Sequence, residues 1–241
     1  DVYKRQGKLL ADGGGATRIA DTLIAKFGQK HVQWAMLIAA FIVGIALFFE
    51  VGLVLLIPLV FTVAKRANVS ILKLGLPMVT ALSVTHGFLP PHPGPVVIAK
   101  ELKANIGEVL LYGMIIAIPV TLIAGPIFNR FAQKMVPTAY TREGDISSLG
   151  TQKEFKEEEM PGFGISLLTA ILPVILMLIS TIVQLITGHE EATNVFEQIV
   201  YFIGTAGTAM LIAVIFAIFT MGMKQQRKME DIMKSVTHAI Y

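Results

Sequence analysis

Thr85-His86-Gly87-Phe88-Leu89-Pro90-Pro91-His92-Pro93-Gly94-Pro95 is the stretch on which the fold turns. It lies within a largely apolar segment, 70–98, long enough to cross a bilayer. Yet four prolines in the six residues 90–95 deny it a continuous helix, because each proline lacks a donor and restricts the residue before it. The segment therefore reads as a broken transmembrane helix that resumes at about Val96. Irregular backbone at membrane depth is tolerated only where it lines a cavity or is buried in protein, so the break marks a candidate site.

Composition agrees with a membrane setting. The 241 residues are 54% hydrophobic and 15% charged, whereas a soluble domain carries about a quarter charged residues. With no cysteine there is no disulfide framework and no thiolate chemistry. The basic residues are scattered between apolar segments and form no patch, which points to membrane orientation and away from nucleic acid. The sequence opens at Asp1 without Met or signal peptide and reads as an internal fragment of a longer protein, with Asp1–Gln6 fitting poorly to the residues after Gln6.

Working outward from the break, residues 33–64 are apolar apart from Glu50. As one helix they would span roughly 48 Å, against a hydrocarbon core of about 30 Å. Two full spans need about 40 residues. A re-entrant hairpin fits, with arms 33–48 and 53–64 and a tip at Phe49-Glu50-Val51-Gly52, where Gly52 supplies flexibility. Residues 1–32 form an N-terminal segment in which Gly13-Gly14-Gly15 make a turn into an interfacial helix, Thr17–Phe27. There Ile19, Ala20, Leu23, Ile24 and Phe27 share a face, Gly28 suits the C-cap, and Arg18 reads as an interfacial anchor. No strand precedes the glycines and no P-loop Lys-Ser/Thr follows them. Transmembrane helices are expected at 108–129, 164–187 and 198–222, with a solvated cytoplasmic loop at 130–163 containing Glu157, Glu158 and Glu159. Residues 223–241 form an amphipathic cytoplasmic segment.

Charge supports this topology independently. With the hairpin opening to the cytoplasm, only Lys100 and Lys103 of the twenty Lys and Arg lie outside. A single span over 33–64 would invert the later loops, which the positive-inside rule disfavours.

Three side chains carry candidate chemistry. An ionised Glu50 near mid-membrane costs on the order of 3 kcal/mol or more, which marks a functional residue by default; the alternative is a protonated, hydrogen-bonded structural Glu. His86 and His92 sit in the proline-rich break, where imidazoles can relay protons or donate to a carboxylate; the alternative is packing. A zinc site built from Glu50 and these histidines lacks a helical His-x-x-x-His pair, so no metal or cofactor is expected. The second hairpin arm and the resumed helix both start at the midplane in this topology. Helix N-termini carry partial positive charge and free N–H donors, so two of them converging make an anion site. An anionic substrate beside Glu50 would bind with that carboxyl protonated, which is a route to proton coupling. An intramembrane enzyme built on Glu50 and the histidines is the distant alternative.

The stretches Gly7-Lys8-Leu9-Leu10-Ala11-Asp12-Gly13-Gly14-Gly15-Ala16-Thr17-Arg18-Ile19-Ala20, Phe48-Phe49-Glu50-Val51-Gly52 and Ala81–Pro95 closely resemble the gluconate:proton symporter (GntP) family, from about Gly7 to Tyr241. The resemblance implies a multi-pass permease of the bacterial inner membrane, not an enzyme, that takes up gluconate or a related sugar acid with protons. Another sugar acid, glycerate or D-serine is the near alternative, and sodium coupling stays open. It also implies an all-α polytopic fold within an ion-transporter-like group built from two inverted repeats, each with a re-entrant hairpin and a broken helix. Residues 223–241 would then begin the second repeat, whose own half of the site would lie beyond Tyr241, and this fragment alone should not transport. Analogy with that group suggests a homodimer in membrane lipid. The site residues so implied are Glu50 for proton coupling and His86 and His92 for substrate or proton relay. Ser83, Thr85 and the backbone at Gly52, Gly87 and Gly94 would bind hydroxyls or the carboxylate.

Overall fold

The computed structural model describes residues 2–141, 155, 157–188 and 191–237, and these are helical throughout, with no strand among them. The helices are α1 (Val2–Asp12), α2 (Gly15–Phe27), α3 (Val32–Ala46), α4 (Phe49–Ala67), α5 (Ile71–Phe88), α6 (Pro93–Glu101), α7 (Ile106–Leu122), α8 (Phe128–Met135), α9 (Phe163–Thr187), α10 (Val195–Gly204), α11 (Ala206–Ala217) and α12 (Met229–Thr237). Among the described residues, four stretches are long and apolar enough to cross a membrane: Ile71–Glu101, Ile106–Met135, Phe163–Thr187 and Ala206–Gln225.

The core is built around α3. Ala35, Met36, Ala39, Ala40 and Val43 are fully buried, enclosed by α2, α4, α5 and α9. Small residues on α3 let its neighbours approach closely, which is how helices gain packing energy where lipid removes the hydrophobic drive. In contrast, α7 turns Ile115, Ile116 and Ile118 outward, an apolar face suited to hydrocarbon.

Between α3 and α4 the chain doubles back at Leu47 and Phe48, both extended. Val32 at the start of α3 lines one cavity with Val63 and Arg66 at the end of α4, while Gly44 and Gly52 at the other end both lie against Leu82 of α5. The turn thus precedes the expected Phe49–Gly52 tip, because Glu50 already sits in the first helical turn of α4, where a carboxylate complements the positive end of the helix dipole. Gly52 is not a flexible tip. A Cβ there would stand 2.8 Å from Leu82 Cδ2, so glycine allows α4 and α5 to touch.

The proline-rich break spans Leu89–His92 and includes a cis Pro90–Pro91 peptide. The helix resumes at Pro93 rather than Val96, since first-turn N–H groups have no intrahelical acceptor and proline loses nothing there. The 108–129 stretch extends to 106–135 as one helical run that passes Gly125-Pro126 through a π-turn at Ile123–Ile127. The π-turn accommodates a proline without a full break. α10 and α11 return along α9, Thr187 facing Tyr201 and Thr169 facing Thr220, with an interruption at Thr205 that the sequence reading lacks.

The N-terminus also departs from expectation. Gln6 is fully buried and donates from Nε2 to the Thr169 carbonyl at 2.6 Å. A Cβ at Gly7 would collide with Leu47 and the Ala46 carbonyl, so α1 packs directly on the α3–α4 turn. Leu9 joins Val214, Ala217 and Ile232 in a small core with α11 and α12. Gln6 therefore belongs to the fold. The expected face of α2 is buried at Ile19, Ala20 and Leu23, and Gly28 closes the helix at φ 68° with its N–H on the Ile24 carbonyl. Arg18 is a tether, not a free anchor: its guanidinium donates to the Glu157 carbonyl at 2.6 Å and the Pro161 carbonyl at 3.0 Å.

Candidate functional site at two helix breaks

The turn at Leu47–Phe48 and the break at Leu89–His92 meet. Phe48 is the N-cap of α4 and His92 the N-cap of α6, and their rings make an edge contact with centroids 5.9 Å apart. His86, from the last turn of α5, completes the cluster at 5.5 Å from Phe48 and 4.8 Å from His92. His92 is only 3% exposed, and its Nε2 donates to the carbonyl of Gly44 at 2.8 Å. A carbonyl only accepts, so the contact fixes the proton on Nε2 and leaves Nδ1 as the acceptor of the neutral ring. It also pairs one of the last carbonyls of α3, which lack intrahelical donors. His86 Nδ1 is shielded from solvent without a hydrogen-bond partner.

The other expected residues divide. Thr85 is fully buried and its hydroxyl donates to the Ala81 and Leu82 carbonyls of its own helix. It faces Gly44, where any Cβ would clash with Thr85 Oγ1. Thr85 therefore packs α5 on α3. Ser83 and Gly87, four residues apart, lie on an exposed stripe of α5, and Gly94 is exposed at the second position of α6. Glu50 is exposed in the first turn of α4, two residues beyond Phe48. The structure thus gathers His86, His92 and Thr85 around Phe48 and Gly44, with Gly52 close by through Leu82, while Glu50, Ser83, Gly87 and Gly94 are exposed.

The two N-termini differ as anion donors. In α4 the N–H groups of Phe49, Glu50 and Val51 precede the first helical bond, Gly52 N–H to the Phe48 carbonyl. In α6, Pro93 and Pro95 have no N–H, so Gly94 supplies the sole donor ahead of the Val96 N–H to His92 carbonyl bond. Sequence reasoning missed Gly44 and the ring of Phe48; a lone glycine late in an alanine-rich apolar helix was the available signal for the first.

Long apolar helices, with a helix turn and a helix break meeting at one cluster of rings, define a polytopic helical membrane protein. The GntP family permease model matches residues 5–241, and the chain belongs to that family. It is 57% identical over 97% of its length to a gluconate permease of Bacillus subtilis (strain 168), covering 52% of that protein. It is 49% identical over 97% of its length to the high-affinity gluconate transporter of Escherichia coli (strain K12), covering 51% of it. The Gnt-II system L-idonate transporter of the same organism is 45% identical over 97% of the chain and 51% of its own length. The chain spans about half the length of these curated relatives. No solved structure matches it.

Proposed function

We propose that this chain forms the first half of a bacterial inner-membrane permease that takes up gluconate or a closely related sugar acid together with protons. The contact between the two helix N-caps, Phe48 and His92, is the observation that carries the reading. It supports a site in which the donor-rich start of α4 and the start of α6 together offer a carboxylate hydrogen bonds and the favourable end of the dipole. The names of the relatives support the substrate class.

Coupling follows from Glu50 occupying the N-terminus that the substrate needs. When ionised, its carboxylate competes for the free N–H groups of α4. When protonated, it releases them to the substrate anion. A proton and an anion then enter as a pair, and His86 and His92 orient the substrate or relay the proton. The arms α3 and α4 act as a re-entrant hairpin, and an inverted second repeat supplies the other half of the site.

A different sugar acid is the second reading, favoured by the L-idonate relative. Proteoliposomes of the full-length protein, given labelled gluconate, L-idonate, glycerate and D-serine with and without an inward proton gradient, test both. Gluconate accumulation that collapses with an uncoupler supports the reading. Uptake indifferent to the gradient, or restricted to D-serine, overturns it.

A further inference from the structure

At the end of the bundle remote from the Phe48 cluster, a cavity of about 500 Å³ opens among the start of α3, the start of α5 and α8. Lys30, Lys73 and Arg130 line it from three separate chain segments, together with Gln33, Gln133 and Trp34. None of the three cations pairs with a carboxylate among the described residues. Gln33 Nε2 is shielded from solvent with no hydrogen-bond partner. The wall is fixed: Asn129, 3% exposed, donates from Nδ2 to the Lys73 carbonyl at 2.9 Å and accepts from the Tyr140 hydroxyl at Oδ1 at 2.5 Å. Like charges gathered around one cavity repel one another, so an arrangement of this kind is relieved by an anion.

We propose that this cavity binds a phosphate oxyanion, supplied either by an anionic phospholipid headgroup or by free phosphate. Three cations and an unpaired amide donor offer more hydrogen bonds and charge than the two oxygens of a carboxylate use, and match a tetrahedral oxyanion that accepts in several directions at once. The position fits a headgroup. The cavity lies where apolar helices end, beside Trp34, the single tryptophan of the chain, and such rings settle at headgroup depth. In the orientation that the charge bias gives, this is the cytoplasmic face, where basic pockets between helices meet anionic lipid.

The test uses full-length protein in neutral detergent, titrated with phosphatidylglycerol, phosphatidylcholine, inorganic phosphate and gluconate and followed by native mass spectrometry. A phosphatidylglycerol preference weakened on the order of a hundredfold by Lys30→Gln/Lys73→Gln/Arg130→Gln, at about fivefold per cation, identifies the headgroup as the source. Phosphate binding lost in the same variant without any lipid preference identifies free phosphate. Should the triple variant lose its monodisperse profile, Lys73→Gln alone carries the comparison, with about a fivefold loss expected. Lys224→Gln/Lys228→Gln, two exposed cations elsewhere, should change nothing. Unaltered lipid and phosphate binding in the cavity variants, or displacement of phosphate by gluconate, overturns the proposal.

Discussion

The imidazole of His92 reaches across the break between α5 and α6 to donate to the carbonyl of Gly44 at 2.8 Å, locking one interrupted helix to the end of α3. The ring is nearly sealed from solvent, so the bond has no competitor. His92→Ala leaves a buried carbonyl unpaired, at a cost of about 1–3 kcal/mol. A lower thermal midpoint of the purified full-length protein is expected, with His92→Gln, which retains an N–H donor, recovering part of the loss. Equal midpoints for wild type and His92→Ala would show that the bond does not hold the break.

The same end of α3 depends on close approach. A methyl at Gly44 would meet Thr85 Oγ1 on α5, and both positions are buried. Gly44→Ala should destabilise by about 1–3 kcal/mol through overpacking. Removing the opposing hydroxyl should restore part of this, so the Gly44→Ala/Thr85→Ala double variant is expected to fall short of the sum of its singles by about 0.5–3 kcal/mol. Strict additivity in thermal or denaturant unfolding would place the strain elsewhere.

How far the sequence spoke depended on whether the cause was local. The Leu89–His92 break was legible because prolines abolish helix bonding wherever they stand. The Leu47–Phe48 turn contains neither glycine nor proline, and the next glycine along, Gly52, serves contact with Leu82, a residue thirty positions away. α1 was illegible for the same reason. Its mean composition is polar, and Gln6 and Leu9 are buried because α9, α11 and α12 return over them, while Leu10 joins the main core around α3. Beside the interruption at Thr205, Gly204 lies close against Ser180 of α9, another pairing no window of sequence contains. At the site, residue types were readable and orientation was not: Thr85 turned inward to pack, and Ser83 turned out.

Arg18 offers a test of the tether between α2 and the 157–161 segment. Its bonds run to the Glu157 and Pro161 carbonyls, whereas the ionic contact with the Glu157 side chain, 86% exposed, spans 3.4 Å. Exposed ion pairs contribute little, while charge-assisted bonds to carbonyls contribute more. Arg18→Ala should therefore speed cleavage by a glutamyl endopeptidase at 157–159 on the order of tenfold, and Glu157→Gln should leave cleavage at 158–159 unchanged. The reverse ranking would assign the tether to the ion pair.

The proposed coupling scheme turns on Glu50. It stands in the first turn of α4, exposed, beside N–H groups that precede the first helical bond. A neutral amide there cannot be ionised, so it cannot claim the positive end of the helix when no proton is available. Glu50→Gln in the full-length protein should thus keep gluconate binding within a few-fold, because the backbone donors are untouched, and lose accumulation driven by a proton gradient. Exchange of labelled for unlabelled gluconate across the membrane, which needs no net proton movement, should survive. Glu50→Asp keeps a carboxyl on a side chain one methylene shorter and should retain gradient-driven uptake at a reduced rate. Gradient-driven accumulation by Glu50→Gln at the wild-type level would move the proton to His86 or His92, the remaining titrating groups at the junction of the two breaks.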